Sequence, residues 1–145
     1  MGVAELLLKR KKELAEKNAE EGLAFREEFS KKEGVIALES GLLYEVITMG
    51  DGPKPTIKDK VLCHYHGTNI IGEVFDSSVR RKVPASFPLE NVIKGWAEGV
   101  MLMPVGSKFR LVVPPHLGYK DREISKELGP QSTMIFEIDL LAIMD

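Results

Sequence analysis

The chain has 145 residues, a formal net charge of −2 and a hydrophobic content of 43%. This length suits one core-bearing domain with a short appendage, and the near-neutral charge excludes strong attraction to nucleic acid or an anionic membrane. The single cysteine, Cys63, excludes an intrachain disulfide. No apolar run is long enough to span a bilayer, and no segment has the pattern of a signal peptide. We therefore expect no nucleic-acid or membrane partner, and a cytoplasmic protein as the chain stands. If a signal peptide has been removed, the protein is periplasmic or secreted.

Residues 1–33 have the pattern of one charged amphipathic helix. They contain no proline, alternate basic and acidic blocks, and repeat small or apolar residues at helical spacing. The members of this stripe are Leu8, Ala15, Ala19, Gly22, Phe25 and Phe29. Two interpretations stay open. The helix is either a solvated appendage that docks weakly or not at all, or a linker and dimerisation helix.

From residue 34 to residue 145 the hydrophobic period changes from helical to strand-like. Alternation predicts strands at residues 42–47, 61–66, 107–113 and 133–143. One short helix is expected over residues 91–101, with Asn91 as its N-cap. A long charged loop separates the last two strands. We therefore predict an α+β fold, in which an antiparallel sheet wraps one short helix and the long N-terminal helix precedes it.

Two arrangements of polar residues fail as reactive centres. His64 and His66 share one face of a predicted strand, but zinc needs three or four ligands, so solvent-facing histidines are the default interpretation. Asp76, Ser77 and Ser78 follow one another near these histidines, but no nucleophile elbow or glycine-rich oxyanion hole surrounds either serine. The simpler interpretation of these three residues is a turn or helix cap.

The aromatic residues fit either a plain core or an apolar pocket. The set comprises Tyr65, Phe75, Phe87 and Trp96. Two details favour a pocket. The helix of Trp96 also carries Gly95 and Gly99, which suit close backbone approach. Asp76 directly follows Phe75, and a carboxylate beside apolar groups needs a partner, such as a tyrosine hydroxyl.

At these residues the chain resembles the FKBP family, the tacrolimus-binding peptidyl-prolyl cis/trans isomerases. The resemblance covers residues 41–143 and rests on ordered motifs. These motifs are His64-Tyr65-His66-Gly67, Phe75-Asp76-Ser77-Ser78, Phe87-Pro88-Leu89, Val92-Ile93-Lys94-Gly95-Trp96, Met103-Pro104-Val105-Gly106, Leu117-Gly118-Tyr119 and Ser132-Thr133-Met134-Ile135-Phe136. The leading helix, joined to Lys32-Glu33-Gly34-Val35 and Ser40-Gly41-Leu42, is similar to the bacterial macrophage-infectivity-potentiator subgroup.

The resemblance implies a prolyl isomerase that needs no metal or organic cofactor. It implies that Trp96 forms the floor under the proline ring, that the N–H of Ile93 and the hydroxyl of Tyr119 donate to substrate carbonyls, and that Tyr65 holds Asp76 beside the reacting amide. The implied wall residues are Tyr65, Phe75, Phe87, Val92 and Phe136, with Leu128 as an apolar tip over the pocket. The chain departs from the family pattern at Lys120, where a residue that reaches positive φ cheaply is usual.

The resemblance also implies partners. Substrates would be proline-containing peptides or unfolded proteins, inhibitors would be macrolides such as tacrolimus or rapamycin, and the N-terminal helix would support a homodimer. The alternative function is a chaperone-like or peptide-binding module with weak or no isomerase activity.

Overall fold

A computed structural model describes residues 2–144 of the chain. Within these residues, a long helix, α1 (Val3–Ser30), precedes seven strands and two short helices. The strands are β1 (Val35–Ala37), β2 (Leu43–Thr48), β3 (Lys60–Thr68), β4 (Val74–Ser77), β5 (Ala85–Pro88), β6 (Lys108–Val113) and β7 (Met134–Met144). The short helices are α2 (Ser78–Arg81) and α3 (Lys94–Val100), and 3-10 turns cover Leu89–Asn91 and Pro115–Leu117. The predicted α+β fold is confirmed.

The strands form one antiparallel sheet in the order β1-β2-β6-β7-β3-β4, with β5 paired to β3. The first half of β3 pairs with β5, and the second half pairs with β4. Strand β7 runs along the whole other side of β3. Strand β3 is therefore the element to which most of the site is attached.

Side chains alternate along β3 and β7 as the sequence predicts. Val61, Cys63 and Tyr65 are buried on one face of β3, and Phe136 and Ile138 are buried on β7. The core lies between this face of the sheet and α3. Each buried aliphatic or aromatic side chain contributes about 1.5–3 kcal/mol relative to exposure.

Helix α3 packs against β6 through its two glycines. A Cβ atom at Gly95 would lie 2.6 Å from Val113 Cγ1, and one at Gly99 would lie 2.5 Å from Leu111 Cδ1. These separations are too short for a real side chain, so the close approach of helix and strand requires both glycines. The expected close approach is present, but it is to core side chains of β6 and not to the cleft, so the glycines are not evidence for a pocket.

The predicted N-cap of α3 is wrong. Helix α3 begins at Lys94 with Ile93 in the cap position, while Asn91 ends a separate 3-10 turn. Val92 between them is extended, with φ −95° and ψ 167°. The chain therefore unwinds before α3 starts, and the Asn91 side chain is too early to cap it.

Helix α1 docks by its second half and is exposed over its first half. Gly22 is its one fully buried residue, whereas Val3, Leu7 and Leu8 are more than half exposed. Leu8 is therefore outside the buried stripe that the sequence predicts. No helix in residues 2–144 combines the length and apolar character needed to cross a membrane.

Candidate active site

A cleft of about 540 Å³ opens on the α3 side of the sheet, between α3, β4 and the loop after β6. The residues that line it are Tyr65, Phe75, Asp76, Phe87, Asn91, Val92, Ile93, Trp96, Gly118, Tyr119, Lys120, Arg122 and Phe136. Nine of the ten predicted site residues, Asp76 included, are among them. The sequence separation between Tyr65 and Phe136 shows that only the fold brings these side chains together.

Trp96 is the centre of the aromatic part of the cleft. Its ring meets those of Tyr65, Phe87 and Phe136 edge to face, with centroids 5.4, 5.4 and 5.7 Å apart. The side chain is 5% exposed, so its edges are covered and the rest faces the cleft. Edge-to-face pairs of this kind contribute about 0.5–1.5 kcal/mol each beyond their burial. The floor of the cleft is therefore apolar and rigid.

Gly67 on β3 makes room for two of the wall residues. The rings of Phe75 and Phe136 meet edge to face at 5.5 Å. A Cβ atom at Gly67 would lie 2.9 Å from both rings. The glycine that ends the His-Tyr-His-Gly motif therefore allows these two rings to close the wall.

The polar wall of the cleft consists of Tyr65, Asp76 and Arg81. The Tyr65 hydroxyl donates to Asp76 Oδ2 at 2.6 Å, as the resemblance implies. Arg81 donates from Nη1 to Asp76 Oδ1 at 2.6 Å and from Nη2 to the Tyr65 oxygen at 2.8 Å. Both oxygens of the Asp76 carboxylate therefore accept a hydrogen bond, one from Tyr65 and one from Arg81. Neither oxygen is left without a partner to act as a general base.

The ionisation of this group follows from the same contacts. Burial raises the pKa of Tyr65 above its usual value, and the hydrogen bond to Asp76 raises it further. Hydrogen bonds to Asp76 and then to Tyr65 raise the pKa of Arg81. At neutral pH the tyrosine keeps its proton and the arginine keeps its charge. The wall therefore presents oriented dipoles and not a proton-transfer pair.

Sequence reasoning missed Arg81. It lies five residues after Asp76, at the end of the four-residue helix α2. Ser77 caps that helix by accepting from Arg80 N, and Lys82 ends it with a left-handed backbone. The sequence offers one signal for it, since Arg81 lies about one helical turn after Ser77. An arginine at such a spacing is too common to be identified as the partner of Asp76.

The two strand histidines are bonded to serines. His64 Nδ1 lies 2.9 Å from Ser78 Oγ, and His66 Nδ1 lies 2.9 Å from Ser77 Oγ. Both histidines lie on the less buried face of β3, as the alternation predicts, but they are half-buried and not fully solvated. Antiparallel pairing of β3 with β4 places Ser77 opposite His66, and Ser78, the first residue of α2, follows beside His64. In residues 2–144 no group of three or more His, Cys, Asp or Glu side chains is placed to hold a metal ion.

The rim of the cleft carries positive charge. Tyr119, Lys120 and Arg122 line it, and the Arg122 guanidinium lies 5.8 Å from the centre of the Tyr119 ring. Lys120 has φ +53°, so the lysine occupies the left-handed conformation that the family pattern demands there. Ile93, another lining residue, precedes α3, and no side chain caps that end of the helix. The first N–H groups of α3 are therefore available to a ligand.

Leu128 does not reach the cleft. Its side chain is 1% exposed, is buried in the hydrophobic core and is absent from the lining. Turn hydrogen bonds from Ile124 N to Leu128 O and from Leu128 N to Ser125 O fold the loop back on itself. Burial of the leucine is favoured over exposure at the tip by about 1.5–3 kcal/mol.

Comparison with known proteins agrees with this geometry. A family model described as FKBP-type peptidyl-prolyl cis-trans isomerase matches residues 52–141. A second, described as the domain amino terminal to FKBP-type peptidyl-prolyl isomerase, matches residues 2–46. The FKBP-type 22 kDa peptidyl-prolyl cis-trans isomerase of Escherichia coli K12 is 49% identical over 126 residues, which are 87% of this chain and 61% of the relative.

Two further proteins extend the comparison. The "outer membrane protein MIP" of Legionella longbeachae is 41% identical over 142 residues, covering 96% of this chain and 61% of the relative. The crystal structure of FkpA from Escherichia coli superposes with a TM-score of 0.90 at 38% identity, covering 94% of this chain and 63% of that one.

The chain spans about three fifths of the length of these three proteins. The expectation of a cytoplasmic protein gains no support from relatives of which one is named an outer membrane protein. The family matches and the aromatic cleft lead to one conclusion: the chain belongs to the FKBP-type peptidyl-prolyl cis-trans isomerase family, in the group that includes FkpA and the macrophage infectivity potentiator Mip.

Proposed function

We propose that this chain catalyses cis/trans isomerisation of X-Pro peptide bonds and so assists protein folding. The observation that carries this proposal is the apolar floor of Trp96, surrounded edge to face by Tyr65, Phe87 and Phe136. A proline ring is compact, apolar and of a size to lie on an indole. The names of the relatives support the same activity.

The reaction breaks no covalent bond, so it needs no nucleophile. Its barrier is the loss of amide resonance, about 18–20 kcal/mol. A twisted amide has less charge separation than a planar one, so transfer from water to an apolar cleft disfavours the planar ground state more than the transition state. An acceleration of about 10³–10⁵ requires only about 4–7 kcal/mol of such differential stabilisation.

Polar groups at the edges of the cleft would orient the substrate. We assign donation to substrate carbonyls to the Tyr119 hydroxyl and the Ile93 N–H, because both residues line the cleft. Asp76 is the polar wall beside the amide, held by Tyr65 and Arg81. Phe75, Phe87, Val92 and Phe136 exclude water from the twisting bond.

The central test is catalysed exchange of a short peptide with a Leu-Pro bond, measured by NMR without a coupling protease. We expect Trp96→Leu to reduce kcat/KM at least about tenfold, which corresponds to about 1.4 kcal/mol of transition-state stabilisation. Tyr44→Leu is the matched control, because Tyr44 stacks on Phe109 at 5.5 Å and does not line the cleft. Equal turnover by wild type and Trp96→Leu would remove the cleft from the proposal.

The second candidate function is a binding module or chaperone that holds unfolded segments with little catalysis. It is favoured by the exposed apolar residues on the first half of α1, which include Leu6, Leu7 and Leu8. The test measures suppression of the aggregation of an unfolded protein. If Trp96→Leu abolishes exchange but keeps this suppression, and Leu7→Ser loses it, then α1 binds unfolded protein and the cleft carries out catalysis.

The remaining assignments concern ligands, assembly and location. We propose macrolides such as tacrolimus or rapamycin as competitive ligands of the cleft, tested by displacement of the Leu-Pro peptide. We also propose residues 1–33 as a linker and dimerisation helix and residues 34–145 as the isomerase domain, tested by sedimentation over a range of concentrations. A periplasmic or envelope location, supported by the name of the Legionella relative, is tested by cell fractionation.

A further inference from the structure

One row of α1 faces the segment that leads into β7. The row is formed by Asn18, Gly22 and Arg26, which are spaced by four residues and so lie on one side of the helix. Asn18 Nδ2 donates to the Pro130 carbonyl at 2.9 Å, and Arg26 Nη1 donates to Thr133 Oγ1. The helix therefore holds both ends of residues 130–133.

Gly22 allows this contact because it has no side chain. A Cβ atom there would lie 2.5 Å from Thr133 Oγ1 and 3.2 Å from Thr133 Cβ. Gly22 is also the one fully buried residue of α1. Arg26 next to this contact is half-buried, and its burial lowers the pKa of the guanidinium. The contact is thus a fitted one and not a loose approach of two surfaces.

The segment that α1 holds is in turn bonded to the rim of the cleft. Gln131 N donates to the Lys120 carbonyl at 2.6 Å, and Gln131 Nε2 donates to Asp121 Oδ1 at 2.7 Å. Both Lys120 and Gln131 have positive φ, so each side of this junction is a sharply turned backbone. Tyr119 directly precedes Lys120 and lines the cleft.

A second connection runs through the start of β7. Gly118 lies against the terminal methyl of Met134, and a Cβ atom at Gly118 would collide with it. Thr133, which contacts α1, directly precedes Met134. Residues 118–121 are therefore bound to residues 131–134, and residues 130–133 are bound to α1. Residues 120–124 of the loop are exposed and mostly charged. They therefore bury little apolar surface that could hold this part of the loop in place.

We propose that α1 positions Tyr119 for catalysis, with Asn18 and Gly22 as positioning residues that act through residues 130–133. The proposal rests on the proposed isomerase function, because it assigns the effect to the Tyr119 hydroxyl. Docking of α1 restricts the junction at Gln131 and so limits the positions that Tyr119 samples. A donor held in place in advance favours the transition state more than one that must be ordered during the reaction.

The first test compares Asn18→Ala and Gly22→Ala with Glu20→Ala in the full chain. Glu20 lies on the same part of α1 and is exposed, and the hydrogen bonds from α1 to residues 130–133 come from Asn18 and Arg26 instead. We expect the two positioning variants to lower kcat for a Leu-Pro peptide about three- to tenfold, with KM changed less than twofold. Glu20→Ala should match wild type in both constants.

A second experiment detects movement of the cleft rim by NMR, independently of the catalytic rate. The backbone amide resonances of Tyr119 and Lys120 should shift in Asn18→Ala and Gly22→Ala and stay in place in Glu20→Ala. Gly22→Ala should slow Thr133→Ala less than it slows wild type, because removal of Oγ1 takes away the 2.5 Å contact and leaves only the 3.2 Å approach to Cβ. If Gly22→Ala does not fold, Asn18→Ala carries the same test, since it removes one hydrogen bond and adds no atoms.

The outcomes separate the two proposals. Wild-type kcat and unshifted Tyr119 resonances in folded Asn18→Ala would overturn the positioning role. Shifted resonances with kcat unchanged would overturn it as well, because the rim would have moved without effect. Absence of catalysed exchange in wild type, with resonances that still shift in the variants, would instead overturn the proposed function and leave the contact between α1 and the rim established.

Discussion

At the scale of single residues, Asp76 acts through its partners. Its carboxylate is 44% exposed at the edge of the apolar cleft, and Tyr65 and Arg81 each bind one of its oxygens. The Arg81 guanidinium also lies 5.7 Å from the centre of the Tyr65 ring. Arginine is suited to this place because its planar fork reaches two acceptors at once, which the point charge of lysine does not.

We expect Arg81→Met to lower kcat/KM for a Leu-Pro peptide about fivefold, which is about 1 kcal/mol in transition-state stabilisation. The reason is that Asp76 and the Tyr65 hydroxyl lose the group that fixes their orientation. Arg80→Met is the control, since Arg80 is exposed and its side chain does not contact the cleft. Equal kcat/KM for Arg81→Met and wild type would show that Tyr65 alone orients the carboxylate.

At the scale of elements, the distance between α3 and the sheet depends on two residues of α3 that have no side chain. Gly95 and Gly99 face Val113 and Leu111 on β6, and this approach sets how far Trp96 projects into the cleft. Helical glycine is destabilising by about 0.5–1 kcal/mol relative to alanine. Close packing of α3 on the sheet offsets that loss, because it buries Trp96 and Val100.

Gly99→Ala should therefore destabilise the protein by about 1–3 kcal/mol, although alanine is the better helix former. Urea unfolding measures the change as a lower midpoint with an unchanged slope. Lys94→Ala, on the exposed side of the same helix, should alter the free energy of unfolding by less than about 0.5 kcal/mol. A more stable Gly99→Ala variant would mean that α3 can move away from β6 at no loss.

The outer face of the sheet carries a second element-scale feature, an ion cluster around Glu45 on β2. Lys32 Nζ lies 2.9 Å from Glu45 Oε2, and Arg110 Nη1 lies 2.7 Å from Oε1. The hydrogen bond from Lys32 is the main cause that lowers the pKa of Glu45, although partial burial opposes it. A carboxyl whose folded pKa is lowered stabilises the fold only where it is ionised.

We expect Glu45→Gln to lower the free energy of unfolding by about 1 kcal/mol at pH 7. The difference should be complete above the unfolded pKa of about 4.3 and should disappear as the pH falls through the lowered folded value. Urea unfolding at a series of pH values measures it, with Glu33→Gln on the exposed loop as the control. A difference that grew towards acid pH would contradict the sign of the pKa shift.

At the scale of the whole molecule, the core joins every strand that builds the site. Cys63 lies at its centre on β3, fully buried between β5 and β7. Burial, and secondarily the charge of Asp139, raises the pKa of its thiol to about 12. Exposure of this thiol requires separation of the strands that also carry Tyr65 and Phe136.

The Cys63 thiol should therefore react with a disulfide reagent only after global unfolding. At pH 8 its pKa leaves roughly one thiol in 10⁴ ionised, and its atoms are inaccessible in any case. We expect the labelling rate to be at least about 10³ slower than in denaturant and to follow the unfolding equilibrium. Rapid labelling in native buffer would indicate local opening of β3 from its neighbours.

The sequence alone determined the elements that have a long hydrophobic period. The alternation in β3 and β7 and the helical stripe of α1 identified these elements within a few residues, because periodicity is a local property of the chain. The four-residue strands β4 and β5 are too short to show a period. The aromatic motifs identified the cleft residues by resemblance, since their spacing in the chain is characteristic of the family.

Only the tertiary structure decided which of these residues meet. Arg81 reaches Asp76 because Ser77 starts a helix there, Leu128 turns into the core because its loop folds back, and Gly22 docks on Thr133, which is 111 positions further along the chain. Each of these contacts depends on the register of a sheet or the depth of a helix. Such quantities arise from the packing of the whole chain and leave no periodic trace in the residues themselves.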